Sequence, residues 1–326
     1  MFTPRTTSRR PLYCGHLGNV SNVTFSPLLL LAVFAGVWGT VVALSTDGDG
    51  NFMYDDFIAH KFKATQDSKA GSTGVIGIVN VDRERVIVAS SKGVSSTRHE
   101  DLSLIEDRML ENWQWTPEDS SARIVAGPVL HEEAATGQKE FFVADANYRI
   151  YAISIAEGKT LWTADMDPKM GTTSEKPQIQ MRVDPSGKML AVTAEELVMV
   201  FAIDLGSIAF LRRIGPATFT GPIQFVRHSQ RSQQQINPKV VLGDSTGLIH
   251  ALDLASGKRT WTWQFSGSGR SPIVDILCRP AAEVGKDAAP KGTTKAVRSM
   301  SQMDTVFAVS KTGGIVSIQQ SHHYVH

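Results

Sequence analysis

The sequence is poor in cysteine and almost neutral in charge, and each shortage excludes classes of protein. Its two cysteines, Cys14 and Cys278, are too few for a disulfide framework or a zinc site built from cysteines. The net charge of +1 gives no reason to expect a nucleic-acid partner. With 42% hydrophobic and 20% charged residues, the chain is expected to fold rather than to stay disordered.

Motifs for catalysis are also scarce. The Gly-Ser-Gly sequence at residues 267–269 precedes a predicted strand, so it lacks the helix dipole that a phosphate-binding loop uses. No nucleophile elbow is present. His322, His323 and His326 fall in a short tail, residues 321–326, and imidazoles without a rigid scaffold make a poor metal site. The sequence therefore predicts no catalytic residue.

One uninterrupted hydrophobic stretch, residues 26–44, predicts a helix. At 1.5 Å per residue it would nearly span a bilayer. Residues 1–25 contain arginine and no acidic residue, whereas aspartates follow the stretch. The positive-inside rule then places residues 1–25 in the cytosol and the rest in a lumen or outside the cell. We therefore expect a single-pass membrane protein of the endomembrane system.

Three other interpretations of this stretch stay open. Ala43-Leu44-Ser45 has the small-x-small pattern of a signal-peptide cleavage site, which would give a secreted protein. The arginine, serine and threonine of residues 1–25 also suit a mitochondrial transit peptide. A buried core helix is the third alternative, although core helices normally keep one polar face.

An acidic linker, residues 45–73, follows the hydrophobic stretch and begins with a sequence that resembles an EF-hand loop. Ser45 stands where that loop has Asp, and its last ligand position holds Asp in place of the longer Glu. Both changes predict weak binding of Ca²⁺ or Mg²⁺ at most. The candidate ligands are Asp47, Asp49, Asn51 and Asp56.

An internal repeat occupies the rest of the chain. Phe142–Trp162 aligns without gaps to Val241–Trp261 at a shift of 99 residues, and Val192–Arg212 lies between them at a shift of 50 from the first. A period of about 50 residues is within the range of propeller blades. Both better copies contain the same glycine and tryptophan, namely Gly158 and Trp162 in one and Gly257 and Trp261 in the other.

Each copy reads as an antiparallel unit with two tight turns. Gly158 and Gly257 supply the positive φ that a short hairpin turn requires. A single sheet of this kind cannot bury both of its apolar faces, whereas stacked blades can. The pattern therefore predicts an all-β fold, a β-propeller of roughly five four-stranded blades over residues 74–320, preceded by the hydrophobic helix. Residues 281–303, rich in Ala, Lys, Gly, Ser and Thr, read as a surface loop.

The order strand, Asp-x-x-Gly, strand, Gly-Lys and Trp resembles the pyrroloquinoline-quinone-type repeat. That repeat occurs in quinoprotein alcohol dehydrogenases, in the bacterial assembly lipoprotein BamB and in luminal sensor domains of unfolded-protein-response kinases. The resemblance covers about residues 74–320. It implies that Trp162 and Trp261 pack one blade against the next.

The same resemblance implies a choice of functions, and we expect a non-catalytic scaffold or assembly factor that binds protein partners through its propeller loops. The alternatives are a quinone-dependent dehydrogenase and a luminal sensor of misfolded protein. The enzymes of the family are larger and often have adjacent cysteines. The repeat aspartates of this chain suit turn capping, so neither pyrroloquinoline quinone nor another cofactor is expected. Those aspartates are Asp145, Asp204, Asp244 and Asp253.

Overall fold

Antiparallel strands make up the regular secondary structure of the protein wherever the computed structural model describes it. The described residues are 20–26, 31–36, 40–46, 52–61, 75–82, 85–98, 111–133, 136–166, 177–215, 217–226, 238–264, 271–279 and 305–319. The chain divides into two compact units, residues 1–124 and residues 125–326.

The N-terminal unit contains two four-stranded sheets, each with its strands in chain order. The first sheet consists of β1 (Val20–Ser26), β2 (Leu31–Gly36), β3 (Thr40–Thr46) and β4 (Phe52–Lys61). The second sheet consists of β5 (Val75–Asn80), β6 (Arg85–Ser90), β7 (Gly93–Arg98) and β8 (Glu111–Trp115).

The C-terminal unit contains four sheets, again with neighbouring strands consecutive along the chain. The third sheet is β9 (Ile124–Glu132), β10 (Lys139–Asp145), β11 (Arg149–Ser154) and β12 (Thr160–Asp165). The fourth is β13 (Ile179–Val183), β14 (Met189–Ala194), β15 (Leu197–Ala202) and β16 (Ser207–Arg213). The fifth is β17 (Gln224–Val226), β18 (Lys239–Gly243), β19 (Leu248–Asp253) and β20 (Arg259–Gln264), and the sixth is β21 (Ile273–Arg279), β22 (Thr305–Ser310) and β23 (Ile315–Gln319).

The all-β prediction is confirmed, and residues 74–320 hold five sheets of three or four described strands, as the repeat predicts. The structure has β2 and β3 within residues 26–44, and the hydrophobic helix expected over that stretch stays a prediction. Glycines at 36 and 39 and the β-branched residues from 40 to 42 suit strands. Among the described residues, no helix has the length and apolar character needed to cross a membrane.

The inner strands of the C-terminal unit are buried on both faces. In β10 and β15 five of the residues are buried in an unbroken run, whereas in β12 and β20 partly buried and exposed residues alternate. Apolar clusters fill the spaces between the third and fourth, the fourth and fifth, and the fifth and sixth sheets. Each inner sheet is therefore covered by its neighbours, as in a repeat fold whose units cannot bury their faces alone.

The register of the strands corrects the alignment of the middle repeat copy. Ala152 pairs with Trp162 at a β-bulge in the third sheet, and Ala251 pairs with Trp261 at a bulge in the fifth. In the fourth sheet the bulge is at Val200, which pairs with Phe210. The equivalent positions are thus 48 residues apart rather than 50, and the turn between β14 and β15 is one residue shorter than the turn between β10 and β11.

Candidate functional site

The tryptophan of the third sheet joins that sheet to the next one. The indole Nε1 of Trp162 donates a hydrogen bond to the carbonyl oxygen of Ile203, at 3.1 Å, in the turn after β15. Its ring stacks on Phe201 with 6.4 Å between centroids and lies 5.7 Å from Phe142 of its own sheet. Trp162 therefore forms part of a contact between two sheets, which is the packing role that the repeat resemblance implies.

The same contact recurs at the next junction with a different aromatic residue. A Cβ added to Gly206 would lie 2.8 Å from the Trp162 ring, and one added to Gly257 would lie 2.5 Å from the ring of Phe210. Phe210 thus takes the place that tryptophan has in the sheet before it. Trp261 packs against the apolar cluster between the fifth and sixth sheets. The aromatic residue of one sheet rests on the turn glycine of the following sheet.

Glycine is required at these positions for its backbone conformation as well as for its lack of a side chain. Gly158 and Gly257 both have φ of 66°, and Gly206 has φ of 56°. This left-handed conformation is costly for residues with a Cβ. Gly206 was missed in the sequence because the alignment at a shift of 50 places another residue opposite Gly158. The common signal is a glycine four residues before the aromatic residue of the outer strand.

The repeat aspartates close turns, as their positions in the sequence indicate. Asp145 Oδ1 accepts hydrogen bonds from the backbone N–H of Asn147 and Arg149, and its Oδ2 accepts one from the Tyr151 hydroxyl at 2.8 Å. Asp253 Oδ1 accepts hydrogen bonds from the N–H and hydroxyl of Ser256. These carboxylates are occupied by the protein itself, which leaves little capacity for a metal or a substrate.

Asp244 is buried, like Asp145, and faces a histidine. Its Oδ1 accepts hydrogen bonds from Thr246 and from the N–H of Leu248, while its Oδ2 lies 2.8 Å from Nε2 of His250. Asp244 is 2% exposed and His250 is 3% exposed. Burial raises the pKa of Asp244, but the hydrogen bonds from His250, Leu248 and Thr246 outweigh it, so the net pKa is lowered. Asp244 therefore stays ionised inside the fold.

Replacing Asp244 with Asn should destabilise the protein near neutral pH by about 1–3 kcal/mol, because buried donors lose their charged acceptor. A carboxyl whose folded pKa is lowered stabilises the fold above its unfolded value of 3.8, and this contribution disappears as pH falls through the lower folded pKa. The difference in the free energy of unfolding between Asp244→Asn and the parent should thus shrink below about pH 3.8. Urea unfolding at pH 7 and pH 3 measures it.

The matched control is Asp204→Asn, since Asp204 is an exposed turn residue. This variant should unfold like the parent at both pH values. An Asp244→Asn effect of the same size at pH 7 and pH 3 would contradict the ionised carboxylate.

A second buried histidine–carboxylate pair lies in the third sheet. Nδ1 of His131 is 2.9 Å from Oε1 of Glu140, and His131 is 6% exposed. Burial raises the pKa of Glu140 despite the hydrogen bond and charge of His131. This pair could not be predicted from the sequence, because the two residues meet across neighbouring strands. The His250–Asp244 pair is closed to solvent, whereas Glu140 keeps 14% of its side-chain surface exposed.

No group of three or more metal-binding side chains occurs among the residues whose side chains the structure describes. Three of the candidate ligands of the EF-hand-like loop, Asp47, Asp49 and Asn51, lie outside the described residues, and Asp56 lies in β4. The histidine tail also lies outside them. Weak metal binding at that loop therefore stays a prediction.

Apolar side chains are exposed next to the junction that Trp162 forms. Leu161 is 55% exposed, Leu205 is 73% exposed and Ile208 is 44% exposed. All three lie within two residues of Trp162 or Gly206, which are in contact. We call Leu161, Leu205 and Ile208 the junction patch. Exposed apolar residues next to a packed junction are candidates for an interaction site. The junction patch was not apparent from the sequence because its residues come from two repeats.

Comparison with known proteins gives a family and a fold. A model of the PQQ-type repeat, described as outer membrane protein assembly factor BamB, matches residues 68–262 and residues 110–323. The β-propeller domain of Myceliophteria thermophila Cps50 (Swd1) is 10% identical and aligns over 93% of this chain and 83% of its own, with a TM-score of 0.54. A chain of the mitotic checkpoint complex is 13% identical and aligns over 94% of this chain and 78% of its own, with a TM-score of 0.55.

Identities this low indicate a shared fold and not a shared function. None of the curated proteins matches the sequence. The structural alignments extend beyond the residues that the family model matches, since they cover more of the chain than residues 68–323.

Proposed function

The chain belongs to the PQQ-type repeat family of the outer membrane protein assembly factor BamB, and from this premise we propose that it is a non-catalytic β-propeller that binds protein partners. Its role would be that of a scaffold or an assembly factor. Propellers present rigid surfaces on which loops and strand edges bind other proteins. The similarity to a chain of the mitotic checkpoint complex supports a fold that is used in protein assemblies.

The junction patch is the observation that carries this proposal. Leu205 exposes 73% of its surface, although the turn that holds it is fixed by the φ of Gly206 and by the Trp162 hydrogen bond to Ile203. A rigid exposed leucine loses little conformational entropy on binding, and burying it removes apolar surface from water. The patch is therefore suited to a protein partner with a complementary apolar surface.

Replacing Leu205 and Ile208 with Lys should reduce partner recovery about tenfold, because a buried ammonium group without a counter-ion opposes binding. The measurement is affinity capture of the full chain from cell extract, followed by quantitative mass spectrometry. Gln264→Lys is the matched control, since it adds a charge at an exposed position of β20. Partners recovered equally by all three proteins would show that the junction patch is not the binding surface.

The alternative of a quinone-dependent dehydrogenase is tested separately. Pyrroloquinoline quinone is anionic, and its binding with Ca²⁺ requires several converging charged groups. The described repeat carboxylates Asp145, Asp244 and Asp253 already accept hydrogen bonds within their own turns. We therefore expect no heat of binding when the quinone and Ca²⁺ are titrated into the full chain, and no dye-linked alcohol oxidation. Micromolar binding with turnover would replace the scaffold proposal.

A luminal or extracellular location is a further proposal, supported by the arginines before and the aspartates after residues 26–44. Secreted and mitochondrial locations are its alternatives. A role as a luminal sensor of misfolded protein depends on the same location. Protease protection in sealed microsomes distinguishes these locations from a cytosolic one.

A further inference from the structure

The sixth sheet ends on a strand that has no outer neighbour among the described residues. It consists of β21, β22 and β23, whereas each of the other five sheets has four strands. In the four-stranded sheets of the C-terminal unit, a fourth strand covers the outer side of the third strand. The outer edge of β23 is where such a fourth strand would pair.

The backbone of β23 is arranged as in the complete fifth sheet. The N–H of Ser310 donates to the carbonyl of Gly314, as the N–H of Asp244 does to Leu248. Because hydrogen-bonded pairs alternate along an antiparallel ladder, the backbone groups of Ile315 and Ser317 point away from β22. These two residues are available to bond a further strand.

The fifth sheet shows which residues would lie opposite that edge. Ile249 and Ala251, the equivalents of Ile315 and Ser317, pair with Trp263 and Trp261. Ile249 and Ala251 are 0% exposed because the sixth sheet packs against them, whereas Ile315 is 72% exposed. Ile315 therefore offers an exposed apolar side chain next to the edge at which a fourth strand would pair.

The outer edge of β23 also lacks the charges that protect the other outer strands. Each of the described fourth strands contains at least one charged residue, such as Asp165 in β12, Arg213 in β16 or Arg259 in β20. The sequence of β23, IVSIQ, contains none. Charged residues on edge strands oppose pairing with further strands, and an uncharged apolar edge favours it.

We infer that β23 binds an extended segment of a partner protein as a fourth, antiparallel strand. Main-chain hydrogen bonds to Ile315 and Ser317 would supply affinity, and alternate aromatic residues of the segment would lie opposite these two residues. The segment therefore has an aromatic-x-aromatic pattern, as Trp261 and Trp263 have in β20. The inference deepens the proposed function, since it names the kind of partner, and it concerns a surface separate from the junction patch.

The experiment uses the full chain and a fluorescent peptide with the sequence of residues 258–265, KRTWTWQF. We expect saturable binding with a Kd of about 100 μM or tighter. Ser317→Pro removes one outward N–H and leaves the β22–β23 bonds in place, so it should weaken binding at least about tenfold. Ser317→Thr keeps the N–H and should bind like the parent.

A peptide with serine in place of both tryptophans should bind at least about tenfold more weakly, because the alternate aromatic contacts are lost. Thermal unfolding of Ser317→Pro and Ser317→Thr checks that both variants are folded. Absence of saturable binding to the parent, or equal binding to folded Ser317→Pro and Ser317→Thr, would overturn the inference. The Leu205 and Ile208 variant should bind the peptide normally, so failure of the junction patch and failure of the β23 edge are distinguishable.

Discussion

Trp162→Ala should lower the free energy of unfolding by about 3 kcal/mol, which is the lower end of the range for a buried tryptophan. The ring is partly exposed, but it stacks on Phe201, covers Gly206 and donates a hydrogen bond to Ile203. Truncation would leave a cavity between two sheets and remove one of the two hydrogen bonds that the Ile203 carbonyl accepts, the other coming from the N–H of Gly206. A loss of this size is a large share of the roughly 5–15 kcal/mol that stabilises a typical domain. Chemical denaturation with a fluorescence or circular dichroism signal measures it.

Two further variants, at Trp162 and at the adjacent Leu161, separate the contribution of the indole hydrogen bond from that of the packed ring. Trp162→Phe keeps an aromatic ring but loses the indole hydrogen bond, so it should cost about 1 kcal/mol. Leu161→Ala removes an exposed side chain from the adjacent position and should change stability by less than about 0.5 kcal/mol. If Trp162→Ala unfolds like the parent, the tryptophan does not hold the sheets together, and it would instead be a candidate for stacking on a ligand.

Gly257→Ala should cost about 3 kcal/mol, because two unfavourable effects combine at this turn. Its φ of 66° is strained for any residue with a Cβ, at about 1–2 kcal/mol. The added Cβ would also lie 2.5 Å from the Phe210 ring, and forcing that ring aside costs about 1–3 kcal/mol. The midpoint of urea unfolding measures the sum.

Gly137 provides a control with the same backbone but without the contact. Its φ is 69°, and a Cβ added there would have no atom within 4 Å. Gly137→Ala should therefore cost only about 1–2 kcal/mol. Equal losses for the two glycine variants would mean that the contact between Gly257 and Phe210 contributes nothing, and that the backbone alone explains why glycine is present.

The fold was predictable from the sequence where the repeats are close copies. Gly158 with Gly257 and Trp162 with Trp261 are each 99 residues apart, and the same separation relates Asp145 to Asp244. Turn chemistry is local, so a short motif is enough to predict it. The middle copy was misaligned after its shortened turn, and so Gly206 and Phe210 were not identified. A change of one residue in a turn leaves the strand pattern unchanged but moves every later position.

The N-terminal sheet and the interaction surfaces were beyond sequence reasoning for a different reason. An uninterrupted apolar run contains no periodicity, so residues 26–44 suit a helix and a pair of strands equally well. The junction patch combines Leu161 with Leu205, which come from successive repeats. The open edge of β23 depends on a strand that is missing from the described sheet, and absence of pairing is not encoded in any one segment.

The contact between an aromatic residue and a glycine has a direction along the chain. Trp162 rests on Gly206 of the following sheet, and Phe210 rests on Gly257 of the sheet after that. Each repeat therefore presents an aromatic residue to the repeat that follows it and a turn glycine to the repeat that precedes it, as the subunits of a polar filament present two different, complementary faces. A whole repeat inserted between two others would meet compatible surfaces on both sides. The number of repeats in such an array could then change by duplication or loss, because the same contact between an aromatic residue and a turn glycine would join the new neighbours.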